Sequence, residues 1–374
     1  MAAGTGAVYS GPRPAPRARA FNGRPTGSAT MRTPGHANPR VVDTYSVLTK
    51  LYLLGSVLRR MSEVRRRGAR PLDRFPGTLQ VQTRTGCNSH CVLCPQDAVS
   101  KMFPEVTMPR ALYERIAREA ASDGRLKGFA PVLQNEPLLD ADLPDKIRFF
   151  QSLNTSGAIV FIVTNGILLS PDTATALLAC GLDMMHISVN GHQRGDYEAL
   201  NRGRDFGVFK ANLEYLLSQD LSRLGVQLSF IMNAKYAAEL KAAVREYRRR
   251  GLRVHVHGIS NRGGLVDESV MREYGRTSRL ESLRNRLLKP LARRLLPCCP
   301  YPFFQCSVLA SGKVLMCTHD WSRKTIVGDL NTQTISGVWN GQAMTEIRRL
   351  FLAGRMKEVP ACAHCNVFDD LGFV

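Results

Sequence analysis

The 374-residue chain has no apolar run of the roughly 18 to 20 residues that a membrane-spanning helix needs. Its amino terminus also lacks a hydrophobic core followed by a small-residue cleavage site. These absences argue against membrane insertion and secretion, so the expectation is a cytoplasmic, enzyme-sized protein with one large α/β domain and a smaller module. Acidic residues are scarce: 31 Asp and Glu stand against 51 Lys and Arg, a net charge of +20. The excess falls in two stretches, residues 1–75 with 14 basic against three acidic residues and residues 245–294 with 14 against five. A surface of this sign suits nucleic acid, acidic lipid or a phosphorylated substrate. Runs such as Arg65–Arg67 equally describe a solvated helix face, and we expect neither a nucleic-acid partner nor stable membrane insertion. A fourth cysteine is also missing where one would be sought. Cys87, Cys91 and Cys94 fall within eight positions, and the next cysteine is Cys180. Nothing routes the ten cysteines to an oxidising compartment, so reduced, metal-binding cysteines fit better than a disulfide framework.

Residues 1–42 are rich in Ala, Gly, Pro, Ser and Arg without an acid, and are expected to be a disordered basic segment. Residues 43–76 repeat apolar positions at three- and four-residue spacing and end in a basic cluster, an amphipathic helix expected to pack on the main domain. From there short β-rich runs alternate with helical patterns. Strands are expected at 78–84, 128–134, 158–164, 183–190, 225–233 and 252–260, with helices between them such as Pro109–Ala121 and Tyr236–Arg250. Six such units over 77–264 imply a partial (β/α)6 TIM-type barrel with its chemistry at the carboxyl ends of the strands. Residues 265–297 are a basic helical connector. The texture then changes over 298–374 to a β-hairpin with a Ser-Gly turn, a helix near Ile335–Leu352 and a closing "CAHC", a second, small module.

The loop "TRTGCNSHCVLCPQ" follows the first strand. Three thiolates there suit a [4Fe-4S] cluster in which one iron has no protein ligand and stays open. A zinc site completed by His90 is the alternative, awkward because His90 immediately precedes Cys91 inside the same loop. The Cys-x3-Cys-x2-Cys spacing resembles the radical S-adenosylmethionine (SAM) superfamily, in which SAM chelates the fourth iron and is cleaved reductively to a 5′-deoxyadenosyl radical that abstracts a substrate hydrogen. Further stretches carry the resemblance. "LQNEPLLD" is similar to the family's Gly-Gly-Glu-Pro element, with Gln134 and Asn135 replacing both glycines and Glu136 matching. "VTNGILL" is similar to its Thr-Asn-Gly element with Asn165, and in "ISVNGHQRGDYEALNRGRDFGVFKANLEYL" Ser188 and Asn190 correspond to residues that reach the cofactor. Leu93 stands where the family often places an aromatic residue near the adenine.

Cys180 lies in an apolar helix and reads as packing. The arrangement Cys299-x12-Gly312-x4-Cys317, closed by Cys362-x2-Cys365, resembles the superfamily's SPASM and shorter twitch modules and implies an auxiliary [4Fe-4S] cluster on those four thiolates. Cys298 and Cys306 compete with Cys299 for the first position, and a structural zinc ribbon is the non-redox alternative. The layout is similar to that of 2-deoxy-scyllo-inosamine dehydrogenases. The resemblance therefore implies a radical SAM dehydrogenase that oxidises an alcohol of a sugar or aminocyclitol in natural-product (antibiotic) biosynthesis. It would act on a small, optionally anionic substrate and draw electrons from an external one-electron reductant such as flavodoxin or ferredoxin. A peptide maturase, radical modification of a nucleotide sugar or RNA, and a structural or electron-transfer metal protein are the alternatives. For a catalytic role the candidate is Arg262 in "SNRGG", after the sixth strand, which either meets the substrate or pairs with Asp267 or Glu268.

Overall fold

The computed structural model describes residues 74–275 and 298–368, with Met61–Glu63 and Arg66 ahead of them. The segment 1–42, most of 43–76 and residues 276–297 of the connector lie outside the described residues. Of the expected amino-terminal helix, Met61–Glu63 and Arg66 are helical and Met61 is fully buried.

All six expected strands are present: β1 (Thr78–Val81), β2 (Gly128–Ala130), β3 (Ile159–Thr164), β4 (Met184–Ser188), β5 (Gly225–Ile231) and β6 (Arg253–His257). They run parallel in sequence order, each paired with the next. The sheet has two free ends, at β6 and at a later strand, so the barrel is partial. The connecting helices bury one stripe each. Helix Arg110–Ser122 starts after Pro109, whose fixed φ suits a helix entrance, and turns Leu112, Tyr113, Ile116, Ala117 and Ala120 inward at helical spacing. Helix Leu143–Leu153 places Phe150 flat on Phe129 of β2, with ring centroids 3.9 Å apart. Truncating Phe129 to alanine would cost about 3–5 kcal/mol.

On the opposite pleat the walls of β4, β5 and β6 are polar. The register pairs His186 with Gln227 and Gln227 with Arg253, then Ser188 with Ser229 and Ser229 with His255, and finally Ile231 with His257. Apart from β3, which ends at Thr164 as its run does, the strands are shorter at their carboxyl ends than their β-rich runs, because those ends turn into the loops that carry the site.

The carboxyl-terminal module is not a separate layer. Its hairpin, β7 (Gln305–Val308) and β8 (Lys313–Leu315), turns at Ser311–Gly312 and is extended by β9 (Ile326–Asp329). β7 pairs in parallel with β1, so the nine-stranded order is β6-β5-β4-β3-β2-β1-β7-β8-β9. Gly312 has φ +86°, and a Cβ there would stand 2.5 Å from the Asn331 amide, so the turn requires glycine. The helix expected over Ile335–Leu352 is two helices, Ile335–Trp339 and Gln342–Leu352. The chain breaks at Gly341, which takes an extended conformation as the second helix's N-cap and donates its N–H to Val338 O. Among the described residues no helix is long and apolar enough to cross a membrane.

Candidate active site

Beyond β1 the chain turns into the three-cysteine loop. Gln82, which follows the strand, fixes the departure: its Nε2 donates to Leu133 O at 2.7 Å and its Oε1 accepts from Ala310 N–H at 3.2 Å. The loop is then tied to the segment after β4 by His90 N–H to Arg202 O and Val92 N–H to Leu200 O. The His90 ring pairs with Asp97 at 2.6 Å and its side chain is 62% exposed, so His90 turns away from the thiols instead of completing a zinc tetrahedron.

A cavity of about 290 Å³ opens where β1–β6 end. Cys87, Cys91, Leu93, Cys94, Gln134, Asn135, Glu136, Asn165, Ser188, Asn190 and Arg262 all line it. A hydrogen-bond network joins the cysteine loop to the loops after β2, β3 and β4. Buried Glu136 accepts from Thr164 Oγ1 at 2.6 Å, Asn165 N–H at 2.7 Å and Leu138 N–H at 3.1 Å. Burial pushes this carboxyl up, and those bonds oppose the rise. Asn165 Nδ2 donates to Asn88 Oδ1 (2.7 Å) and Ser89 Oγ (3.2 Å), inside the cysteine loop. Ser89 Oγ also accepts from Arg204 Nε at 2.9 Å, and Arg204 continues to Ser188 O (3.2 Å) and Cys91 Sγ (3.1 Å). Sequence reasoning missed Arg204, although it sits inside the quoted "NRGRDF". Asn190 commits its Oδ1 to Ile231 N–H at 2.8 Å, bracing the ends of β4 and β5. Leu93 keeps an apolar wall, packed with Leu200 and Tyr274.

Among the described residues four non-glycine residues have positive φ, and three of them line the cavity: Gln134 (53°), Asn190 (54°) and Arg262 (51°). Such backbone strain concentrates where geometry is over-determined by its surroundings. Gln134 uses the conformation to donate Nε2 to Thr318 O at 2.9 Å, joining the second barrel loop to the carboxyl-terminal module.

Arg262 pairs with neither acid considered for it. Asp267 caps the helix Glu268–Tyr274 through Ser269 N–H, and Glu268 faces Arg272. Its loop is docked on the module instead. Asn261 N–H donates to Asn366 Oδ1 (2.9 Å), Asn366 N–H to Asn261 Oδ1 (3.2 Å), and Asn261 Nδ2 to His364 O (2.6 Å). The Arg262 charge is felt by Cys94 on one side and by Tyr301 and His319 on the other. Burial, with Arg262 and then His255 adding, holds His257 of the cavity wall neutral with a pKa of about 3.

The module's cysteines sort themselves. Beyond burial, which pushes the Cys299, Cys306, Cys317 and Cys362 thiols up, Cys317 feels Cys299, Cys362 and Cys365, and Cys299 feels Cys362, Cys365 and its neighbour Cys298. Cys306 lies on β7 within the core and feels Arg348 and Glu119. Cys180 is buried at the end of helix Pro171–Ala179. Among the described residues no three His, Cys, Asp or Glu side chains converge as they would on a single metal ion; a cubane takes one thiolate per iron and spreads its ligands further apart.

The family model of the radical SAM superfamily matches residues 81–274. The chain belongs to that superfamily. A second model, the SPASM iron-sulfur cluster-binding domain, matches residues 298–366. A curated relative, the S-adenosyl-L-methionine-dependent 2-deoxy-scyllo-inosamine dehydrogenase of Niallia circulans, is 23% identical over 302 residues, covering 79% of this chain and 94% of its own. The structure of BtrN in complex with AdoMet and 2-DOIA superposes with a TM-score of 0.54 at 19% identity, covering 79% of this chain and 94% of that one. SuiB of Streptococcus suis, bound to its precursor peptide SuiA, gives 0.60 at 13%, covering 82% and 73%; both likenesses show the fold alone.

As a radical SAM enzyme with a SPASM domain, the protein uses SAM with a [4Fe-4S] cluster and an auxiliary iron-sulfur cluster. The residues present fit these groups. Gln134 Oε1, Asn135 Nδ2 and Arg262 Nε are buried without hydrogen-bond partners and belong to cavity-lining residues, so polar ligands are needed to satisfy them. Buried thiols with raised pKa values stay protonated until a cation compensates, as cluster iron does.

Proposed function

We propose that the protein is an oxidoreductase that oxidises a secondary alcohol of a sugar-like or aminocyclitol-like small molecule in the cytoplasm. One observation carries this: Thr318 and Trp321, on the loop that begins at Cys317, line the same cavity as Cys87, Cys91 and Cys94. A cluster held by Cys317 would lie on the module's side of this cavity, which supports its serving as the electron acceptor that an alcohol oxidation needs. The kinship with the 2-deoxy-scyllo-inosamine dehydrogenase supports the same reading.

When bound, the first cluster and SAM supply a 5′-deoxyadenosyl radical. Cys87, Cys91 and Cys94 hold that cluster, and Arg204 stabilises the Cys91 thiolate through its 3.1 Å contact. Gln134 Oε1 would accept from the cofactor's amino group, and Asn135 Nδ2 would donate to its carboxylate. Glu136 and Asn165 act behind them by fixing the loops, and Ser188, Asn190 and Leu93 shape the wall. Cys299, Cys317, Cys362 and Cys365 hold the auxiliary cluster. Arg262 orients the substrate between the two sets and favours loss of its hydroxyl proton.

Anaerobic reconstitution followed by iron and sulfide analysis tests the assignment. About eight irons are expected per chain, falling to about four in Cys299→Ala and staying near eight in Cys306→Ala. The reduced enzyme is then expected to release 5′-deoxyadenosine from SAM and to take deuterium into it from a carbinol-deuterated substrate. About four irons in the wild type, or no SAM cleavage, overturns the proposal.

A further inference from the structure

The wall around Arg262 has an unbalanced charge. Arg204, the other guanidinium of the cavity, is committed to Ser89, Cys91 and Ser188. Among the described residues Glu136 is the one carboxylate in the lining, and three hydrogen bonds close it. Among the described residues Arg262 has no acidic partner, and its Nε is buried and unpartnered. Its position is enforced from both flanks. A Cβ on Gly263 would stand 2.8 Å from His319 O and one on Gly264 2.8 Å from the His364 Cβ, so the loop is pressed on the module and cannot swing out without losing that contact.

The Arg262 side chain is half-buried, and a guanidinium whose Nε is shut off from water without an acceptor costs free energy that a ligand oxygen at that nitrogen would recover. Its planar fork matches phosphate and carboxylate oxygens, to which it donates two parallel hydrogen bonds. An ammonium at the same place would face two cations and no free carboxylate, and Trp321 alone does not make the multi-ring cage that holds a cation by its faces. We infer that the substrate carries an oxyanion, phosphate or carboxylate, which Arg262 binds, and that it presents no amine to this wall. In that respect the chain departs from its relative, whose named substrate is an inosamine. The inference rests on reading the cavity as a substrate site and holds whether or not the alcohol is oxidised.

The test is binding, measured anaerobically by calorimetry on the cluster-loaded enzyme with saturating SAM, using glucose, glucose 6-phosphate, glucuronate and glucosamine. Glucose 6-phosphate or glucuronate is expected to bind about tenfold or more tightly than glucose, the worth of one charge-assisted hydrogen bond. Which of the two binds tighter separates phosphate from carboxylate, and glucosamine is expected to bind no better than glucose. In Arg262→Gln the preference is expected to disappear while SAM affinity stays within about twofold, and Arg262→Lys is expected to keep part of it. A series in which neither anion exceeds glucose, or in which glucosamine binds tightest, overturns the inference. So does an Arg262→Gln enzyme that loses SAM affinity, because Arg262 would then serve the cofactor. Deuterium transfer and iron content report on the oxidation itself, so failure here leaves that reading distinguishable.

Discussion

Gln134 holds two opposing contributions in one side chain. At φ +53° it occupies a conformation that costs a non-glycine residue on the order of 1–3 kcal/mol. In return its Nε2 bonds Thr318 O, a net gain of about 0.5–1.5 kcal/mol. Gln134→Gly removes both, and glycine's own entropic cost of roughly 0.5–1 kcal/mol narrows the difference further, so stability should stay within about 1 kcal/mol of wild type. Gln134→Ala keeps the strain and loses the bond. It should be the less stable variant by about 1 kcal/mol, which in a domain of this size lowers the melting temperature by roughly 2–4 °C. Binding separates from stability, because Oε1 has no partner within the protein. If it accepts from the SAM amino group, both variants lose a hydrogen bond worth about 0.5–1.5 kcal/mol, and their SAM dissociation constants rise about 2- to 12-fold. Anaerobic equilibrium dialysis of SAM against the cluster-loaded enzymes, beside thermal melts, reads both effects. Wild-type SAM affinity in either variant refutes the assignment of Oε1, and an alanine variant more stable than the glycine variant refutes the strain argument.

Gly264→Ala adds a Cβ at 2.8 Å from the His364 Cβ on a backbone at φ +91°; iron should fall from about eight toward about four per chain as the Cys362–Cys365 loop loses its seat. Gly157→Ala, with a φ of +66° and open space around the new Cβ, carries the strain without the clash and should keep its iron; equal iron in both variants refutes the role of the contact. His186 is held at about 4, below 6.5, by burial first and His255 second, while its ring bonds Gln227 and lies beside Phe161. Because the unfolded chain takes up the proton first, its contribution is intact above pH 6.5 and is lost as pH falls toward about 4. His186→Gln, whose amide oxygen can still accept from Gln227, should therefore flatten the fall in melting temperature over that window; an unchanged slope counts against it.

Local pattern carried most of the barrel. Val160 and Ile162 alternate with more exposed neighbours along β3, and Pro109 and Ser170 mark helix entrances, so period and caps reveal those elements within the sequence itself. The pairing of β7 with β1 is different in kind. Its partners, Leu79 and Cys306 among them, are more than 200 residues apart, and no local preference records which edge a hairpin joins. The break in the helix expected over Ile335–Leu352 did leave a signal, since Gly341 weakens a helix interior, but the apolar spacing runs on either side of it. At the site, cysteine spacing was legible because cluster chemistry dictates residue type. Arg204 was not, because 51 basic residues look alike until packing brings one within 3.1 Å of Cys91. Arg262 was legible as a candidate only, since Asp267 and Glu268 lay near enough in sequence to neutralise it, and the cap and the ion pair they form instead emerge only in three dimensions.

The two cysteine sets depend on the chain in different ways. The network around the first runs through Glu136, Thr164, Asn165, Ser89 and Arg204, all within the barrel, so nothing in it waits for the carboxyl-terminal module. Arg262 is placed by bonds that exist only when the module is folded, because the reciprocal Asn261–Asn366 pair and the His364 carbonyl all lie at the Cys362–Cys365 loop. That loop closes on itself through Cys365 N–H to Cys362 O and is steadied by Lys357 Nζ on Cys365 O, two bonds that a shared cluster would lock. Both ends of the cavity thus lean on the module, Arg262 through Asn261 and Gln134 through its Nε2 bond to Thr318 O. A chain whose module is unfolded would keep the Glu136–Arg204 network around the three-cysteine loop and lose the supports of both Gln134 and Arg262.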